Sequence, residues 1–191
     1  MSGRRGLLVV LSGPSGVGKT TVVDRLLERP GFRRAVTATT RAPRPGEVDG
    51  VHYRFLDDAT FARLVAEGRF LEHATVHDRS YGTPIDAVDA VLDAGDTCLL
   101  NIDVQGAATL RERVPEALQV FLAPPSFEEL ERRLRGRRSE TEEQVRRRLA
   151  TARAELARAD EFASVVINDD LERVIAQIEG LVHARRCADA G

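Results

Sequence analysis

A glycine-rich run, 13-GPSGVGKT-20, has residue types and a spacing that suit phosphate binding, because it matches the pattern G-x-x-x-x-G-K-[ST]. Its glycines let the backbone curl so that successive N–H groups face one centre and can hold phosphate oxygens. Lys19 is the only lysine among 28 basic residues, and a slender ammonium fits along such a loop where a guanidinium fork is too broad. The hydroxyl of Thr20 can bind Mg²⁺. The run therefore predicts a triphosphate site formed by Gly13, Pro14, Ser15, Gly16, Val17, Gly18, Lys19 and Thr20.

Two alternatives for this phosphate loop (residues 13–20) are weaker. A chance match in a glycine turn would not explain the strand predicted at 7–12 and the helix predicted at 20–28 on either side of it. A hydrolase nucleophile at Ser15 would need glycine at position 17, where Val17 stands.

Short apolar runs alternate with helical patterns along the rest of the chain, which is typical of a parallel sheet covered by helices on both faces. The expected fold class is α/β, with the three-layer α/β/α core of P-loop NTPases. Further strands are predicted at 97–102, 118–123 and 164–168, and helices at 105–113, 126–136, 142–160 and 170–186.

Residues 37–95 interrupt the alternation and predict an inserted α+β lobe. Prolines and glycines punctuate its first loop, and its predicted strands and helices do not continue the regular alternation of the core. The predicted order is a loop at 37–50, a strand at 51–55, a helix at 58–68, a strand at 69–76, a loop at 77–84 and a helix at 85–94.

The overall composition limits the kinds of partner and the cellular location that we expect for this protein. A net charge of −2 and a pI near 6.1 differ from the strongly basic balance of general nucleic-acid binders, so no nucleic-acid polymer is expected as a partner. No run approaches the roughly 20 apolar residues that a membrane helix needs. Cys98 and Cys187 are far apart, which favours a reducing cytoplasm. The apolar run after Arg4-Arg5 is too short for an export signal.

The inserted lobe contains residues that suit a phosphate monoester. Arg41 and Arg44 lie in a stiff, proline-containing loop, and each guanidinium can bind phosphate through two N–H groups. Tyr53 and Tyr81, the only tyrosines of the chain, lie beside loops of the same lobe and can donate hydroxyl hydrogens. Spacing alone leaves open the alternative that these arginines are solvated and the tyrosines are half-buried core residues.

Several segments together resemble guanylate kinase. They are 36-VTATTRAPRPGEVDGVHYRF-55, 70-FLEHA-74, 81-YGT-83, 101-NIDVQG-106, 132-RRLRGR-137 and 167-INDD-170. The resemblance extends over roughly residues 6–186, and its T-T-R-x-x-R-x-G-E-x-x-G-x-x-Y string is far more specific than the phosphate loop.

The resemblance implies transfer of the γ-phosphoryl group of ATP to GMP, with Mg²⁺, to give ADP and GDP. It also implies that Asp103 lies where metal and substrate meet and contacts the metal through water, and that Asn168 lies near the adenine of ATP. For Asn168, a helix cap at 170–186 is an equal alternative. The residues implied to bind GMP are Thr37, Arg41, Arg44, Tyr53, Glu72, Tyr81, Thr83 and Asp103.

Glu72, which the resemblance makes the reader of guanine, has the right chemistry for that role. Guanine presents two adjacent donors, N1–H and the exocyclic amino group, and one ionised carboxylate accepts from both. Adenine presents an acceptor at N1 instead, which such a site rejects. The alternative is an exposed charge at a strand end. Two positions depart from the family, which usually has serine at Thr37 and often an acidic residue at Asn101.

Residues 131–158 are rich in arginine, and most of these side chains are expected on a solvated helix face. Arg137 continues the apolar stripe of the helix from 126, and Arg133 lies one turn before it. Arg148 follows a capping box predicted at Thr141–Gln144. In the resembled family these three arginines belong to a lid over ATP, where fixed cations lower the barrier to phosphoryl transfer. A hinge is expected at Ser139 and Glu140, and Arg138 stands where the family often has glycine.

The predicted catalytic residues are therefore Lys19, Arg41, Arg133, Arg137 and Arg148. The chain is expected to be one guanylate-kinase-like domain with a core at 6–36, 96–130 and 160–186, a GMP-binding lobe at 37–95 and a lid at about 131–159. Its expected partners are the small molecules ATP and GMP, with no membrane partner. The sequence does not determine whether the protein is a monomer or a homo-oligomer. The alternatives are a kinase for another nucleoside monophosphate and a non-catalytic binding module of the same fold.

Overall fold

Strand β1 (Leu8–Ser12) forms the centre of a parallel sheet, and all five of its residues are buried. In the computed structural model, which describes residues 5–76, 78–136 and 141–188, this strand is flanked by β7 (Thr97–Asn101) and β8 (Leu118–Ala123). The edge strands β2 (Phe32–Arg34) and β9 (Ser164–Ile167) complete the order β2-β7-β1-β8-β9. Each pairing is parallel, as the alternating pattern predicted.

Helices cover both faces of this sheet. Alternate residues of β1 point to opposite faces. Val9 and Leu11 cluster with helices α1 (Lys19–Leu27) and α7 (Leu171–Ala188), whereas Leu8 and Val10 cluster with helices α3 (Ile85–Asp93) and α4 (Val104–Arg113). This arrangement confirms the predicted three-layer core. The α-helices of the described ranges are α1 (Lys19–Leu27), α2 (Asp58–Ala66), α3 (Ile85–Asp93), α4 (Val104–Arg113), α5 (Phe127–Arg135), α6 (Glu142–Leu156) and α7 (Leu171–Ala188), and a short 3₁₀ helix spans Ala159–Glu161.

A second, smaller sheet lies between β2 and α3 in the chain. Helix α2 packs on it through Phe61, whose ring stacks on that of Phe70 with 4.6 Å between centroids. Its strands are β3 (Ala38–Thr39), β4 (Arg54–Phe55), β5 (Phe70–Val76) and β6 (Arg79–Pro84), in the order β4-β3-β6-β5.

The loop predicted at 77–84 is wrong over most of its length, because Arg79–Pro84 is strand β6. Glycine and proline disfavour strands, so the local sequence is typical of a loop. The strand is instead stabilised from outside, by antiparallel pairing with β3 on one side and β5 on the other. Gly82 also makes room for a neighbour, since a Cβ at this position would lie 2.9 Å from Cδ1 of Phe70.

Smaller differences concern element lengths. Strands β2 and β3 were not predicted, and the strand predicted at 51–55 is only Arg54–Phe55. The capping box at Thr141–Gln144 is confirmed, because each residue's side chain accepts a hydrogen bond from the other's main-chain N–H. Within the described ranges, no helix combines the length and apolar content that spanning a bilayer requires.

Candidate active site

The phosphate loop joins β1 to α1 through three glycines with positive φ angles. At Gly13 (φ 138°) a Cβ would lie 2.2 Å from the carbonyl oxygen of Leu122, so only glycine fits against β8. Gly18 (φ 103°) precedes α1 and provides no side-chain cap. The first N–H groups of α1 therefore have no capping side chain, and such helix starts bind anions.

Lys19 folds back over this loop. Its ammonium donates to the carbonyls of Gly13 (2.5 Å) and Pro14 (3.2 Å). Burial lowers the pKa of Lys19, and the carboxylates of Glu155 and Asp103 oppose that shift. The ammonium is thus held by two loop carbonyls, in a position to meet phosphate oxygens.

Arg133 and Asn168 meet on the same carbonyl of the phosphate loop. Arg133 Nη1 donates to Val17 O (3.1 Å), and Asn168 Nδ2 donates to it as well (2.6 Å). Arg133 Nη2 also reaches Asn168 O (3.2 Å). The cap of α7 is Asp170, which accepts from Arg173 N (2.9 Å), so the structure does not support the helix-cap alternative for Asn168.

Helix α6 brings two charged side chains to Ser15. Arg148 Nη2 donates to Ser15 Oγ (2.7 Å), and Ser15 N donates to a carboxylate oxygen of Glu155 (3.2 Å). Burial raises the pKa of Glu155, against the hydrogen bond from Ser15 and the charge of Lys19. Arg137, the third arginine predicted beside this loop, lies outside the described residues, as do Arg138, Ser139 and Glu140.

An open cleft of about 760 Å³ extends from the phosphate loop to the second sheet. Thr20 lies at its phosphate-loop side, and Glu72 and Thr83 line it on the second sheet. Other predicted site residues that line it are Thr37, Tyr53, Tyr81 and Asp103. The fold thus brings residues from distant parts of the chain to one cavity.

Glu72 is a partly buried carboxylate within this cleft. Thr83 Oγ1, on the adjacent strand β6, donates to Glu72 Oε1 (2.6 Å). Burial raises the pKa of Glu72, while the hydrogen bond from Thr83 opposes the shift. The predicted alternative, an exposed charge at a strand end, does not describe this environment.

Arg41 is fixed by an ion pair that sequence reasoning did not predict. Its Nη2 lies 2.8 Å from a carboxylate oxygen of Glu47, and both side chains are largely buried. The guanidinium carbon lies 5.4 Å from the ring centroid of Tyr53, which packs edge-on against Tyr81 at 6.4 Å. Arg44 takes part through its main chain, since its N–H donates to Glu47 (2.7 Å), and the residue is exposed.

A family model described as guanylate kinase matches residues 5–185. The chain belongs to the guanylate kinase family. Guanylate kinase of Synechococcus sp. (strain CC9902) is 53% identical over 91% of this chain and 94% of its own length. Guanylate kinase of Thermobifida fusca (strain YX) is 52% identical over 93% of this chain and 91% of its own length. The crystal structure of guanylate kinase from Anaplasma phagocytophilum is similar, with a TM-score of 0.71, 36% identity and coverage of 96% and 88% of the two chains.

The Thr20 hydroxyl and the Asp103 carboxylate line the same cleft, and both are the kind of oxygen ligand that Mg²⁺ prefers. Asp103 lies two residues after the end of β7 and caps α4 by accepting a hydrogen bond from Gly106 N (2.7 Å). The carboxylates of Asp103 and Glu155 both act on the charge of Lys19. In the described ranges, no group of three or more His, Cys, Asp or Glu residues is suited to a metal.

Three further residues at the site of this guanylate kinase family member were not predicted from the sequence: Glu47, Glu155 and Arg113. Glu47 stands in the quoted T-T-R-x-x-R-x-G-E string, and its charge beside two arginines was an available signal. Glu155 follows Arg148 by seven residues, two turns along one helix face, so its position beside the same loop could have been inferred. Arg113 offered no signal, because its contacts lie on a strand 42 and 43 residues away.

Proposed function

We propose that this chain transfers the γ-phosphoryl group of ATP to GMP, producing ADP and GDP. The observation that carries the proposal is the single cleft whose lining includes both Thr20 of the phosphate loop and the Glu72 carboxylate. One end suits a triphosphate and the other suits a base with two adjacent donors. The family match and the named relatives support the same reaction.

Guanine would bind at Glu72, with Thr37 and Thr83 beside it. Thr83 already donates to one oxygen of the carboxylate, and this bond restricts the rotation of the acceptor before the base arrives. A carboxylate held in this way accepts from N1–H and the amino group of guanine, whereas adenine would present a lone pair to it.

The phosphate of GMP would bind at Arg41, Arg44, Tyr53 and Tyr81. Glu47 holds Arg41 in place, so part of the entropic cost of ordering a long side chain is met before the substrate binds. The exposed side chain of Arg44 would turn inward on binding. Arg41 would then also act in catalysis, because its charge offsets that of the acceptor phosphate as it approaches ATP.

ATP would bind along the phosphate loop, from Gly13 to Thr20, with its adenine near Asn168. The Lys19 ammonium would leave the carbonyls of Gly13 and Pro14 and pair with β- and γ-phosphate oxygens. Glu155 accepts from Ser15 N, and a phosphate oxygen of ATP would take its place.

Thr20 would hold Mg²⁺ directly and Asp103 through water. When bound, the ion supplies neutralising charge at the β- and γ-phosphate oxygens. Arg133, Arg148 and Arg137 would contribute further positive charge around the transferred group, from a lid at about 131–159 that closes over the core. The acceptor phosphate is ionised at neutral pH, so these residues need only orient it, neutralise charge and exclude water.

The boundaries of the moving parts are also a proposal. A GMP-binding lobe at 37–95 is supported by the separate sheet that these residues form, and it would close toward a core of 6–36, 96–130 and 160–186. The two cysteines in the described ranges are free, which agrees with the predicted cytoplasmic location.

A steady-state assay of ADP release with ATP and Mg²⁺ tests the proposed reaction. GMP should be turned over at least about a hundredfold more efficiently than AMP, CMP or UMP, because only guanine offers both donors to Glu72. Preference for another monophosphate would support the related-kinase alternative. Binding of GMP without any ADP release would support a non-catalytic module.

A further inference from the structure

Strand β5 carries an irregularity immediately before Glu72. Phe70 pairs with Pro84 of β6, whereas Glu72 pairs with Thr83. Two steps along β5 thus correspond to one step along β6, which makes Leu71 the extra residue of a β-bulge. A bulge disrupts the ladder locally and changes the direction of the side chains that follow it, so this bulge helps to determine where the Glu72 carboxylate points.

Arg113 satisfies the main-chain carbonyls of this bulge. Its Nη1 donates to Phe70 O (2.9 Å) and to Leu71 O (2.7 Å). The arginine is the last residue of α4, which packs on the parallel sheet, whereas β5 belongs to the second sheet. The guanidinium therefore adds hydrogen bonds to the apolar contact between α4 and β5 at the residues that precede Glu72.

The position of Arg113 favours a role in the site over a role in folding. The residue is exposed, and it lines the same cleft as Glu72 and Thr83. Among the described contacts, its guanidinium donates to main-chain oxygens, and the direct partner of the Glu72 carboxylate is Thr83. Its influence on the carboxylate would therefore pass through the backbone of the bulge.

We propose that Arg113 is a positioning residue for guanine recognition, which holds the bulge at Leu71 so that the Glu72 carboxylate faces both donors of the base. The inference rests on the proposed function, in which Glu72 reads guanine. Hydrogen bonds prefer donor angles above about 150° and weaken steeply below about 120°. Release of the bulge would therefore reduce the affinity for GMP even though every group that touches the base is still present.

The test compares Arg113→Ala with Arg113→Lys and with Arg111→Ala as the matched control. Arg111 lies on the same helix but contacts Glu161 and Phe162. We expect Arg113→Ala to raise the KM for GMP about tenfold or more and to leave the KM for ATP within about twofold, as misplacement of a binding group does. Lysine, which can still donate to both carbonyls, should restore most of the affinity. The ratio of GMP to IMP efficiency should also fall, because IMP lacks the exocyclic amino group.

A double-mutant cycle with Glu72→Gln tests the route of the effect. If Arg113 acts through Glu72, adding Arg113→Ala to Glu72→Gln should change the KM for GMP by less than about twofold. A multiplied effect would mean that Arg113 contacts GMP itself, and equal effects of Arg113→Ala and Arg111→Ala would mean a general structural role. Either result overturns the inference, as does an unchanged KM for GMP in Arg113→Ala.

The same measurements separate this inference from the proposed function. If Glu72→Gln leaves GMP turnover unchanged, the assignment of the guanine reader fails and the positioning role fails with it. If Glu72→Gln impairs turnover but Arg113→Ala does not, only the positioning role fails. Should Arg113→Ala not fold, Arg113→Met, which keeps the length of the stem, replaces it in every comparison.

Discussion

Replacement of Glu72 by glutamine should stabilise the ligand-free protein and impair its use of GMP. Glutamine has nearly the same shape and can still accept the hydrogen bond that Thr83 Oγ1 donates at 2.6 Å. What it removes is a negative charge that burial disfavours, as the raised pKa of Glu72 indicates. The two effects have opposite signs because the charge is unfavourable in the empty cleft and favourable beside guanine.

The stability effect should depend on pH in a defined direction. Folding raises the pKa of this carboxyl above its ordinary value of 4.5, so the folded state favours the protonated form. The resulting destabilisation is present above the folded-state pKa and disappears as the pH falls toward the unfolded value. At pH 8 we expect Glu72→Gln to be more stable by about 0.5–2 kcal/mol, the gain that single stabilising substitutions commonly give. The gain should shrink as the pH is lowered toward 5.

The catalytic effect follows from counting donors and acceptors. A hydrogen bond to a charged group contributes about 1.5–3 kcal/mol, and an unpaired buried donor costs about 1–3 kcal/mol. Glutamine keeps one acceptor for guanine but points its amide N–H groups at the other donor. The combined loss of about 3–5 kcal/mol should lower kcat/KM for GMP between about a hundredfold and several thousandfold.

Coupled assays of ADP release give kcat/KM for GMP and the KM for ATP, and urea unfolding at pH 8 and pH 5 gives the stabilities. Glu112→Gln is the matched control, because Glu112 is an exposed carboxylate on α4. It should leave both the GMP kinetics and the pH dependence of unfolding nearly unchanged. The reasoning would be refuted if Glu72→Gln kept GMP turnover within about threefold of the parent, or if it unfolded more easily than the parent at pH 8.

Three further predictions concern the phosphate loop and the cysteines. Lys19→Arg should lower kcat about a hundredfold or more in the ADP-release assay, with little change in the melting temperature, because a broad guanidinium cannot follow the same path. Gly13→Ala should lower the free energy of unfolding by about 2–4 kcal/mol in urea titrations, since its Cβ would lie 2.2 Å from Leu122 O at a φ of 138°. Burial raises the pKa of Cys98 to about 12, so iodoacetamide at pH 8 should modify only the exposed Cys187 in the native protein, and mass spectrometry should find Cys98 modified only after denaturation.

Much of this protein could be predicted from the types and the order of neighbouring residues. Four strands of the parallel sheet, β1, β7, β8 and β9, were recognisable because each is a short apolar run, and Leu8–Ser12 is indeed buried throughout. Strand β6 was missed for the opposite reason: its glycine and proline disfavour a strand, and its stability comes from pairing with β3 and β5. Strands β2 and β3 are two or three residues long, too short for any periodic pattern.

The residues that would touch substrate were also more predictable than those that support them. Lys19 and Glu72 have side chains whose chemistry matches a ligand, and the quoted segments placed both within a family pattern. The residues that hold the site in place have side chains that match other parts of the protein instead of a ligand. Glu47 holds Arg41, Glu155 accepts from Ser15, and Arg113 binds carbonyls more than forty residues away.

The sequence by itself determined the α/β class, the phosphate loop and the guanylate kinase pattern, because apolar periodicity and short motifs are properties of neighbouring residues. Only the tertiary structure decided which residues line the cleft, which carboxylate accepts from Ser15 of the phosphate loop, and that a bulge at Leu71 precedes Glu72. Those outcomes depend on contacts between distant segments. Their energies arise from burial and from hydrogen bonds that exist only once the two sheets have packed together.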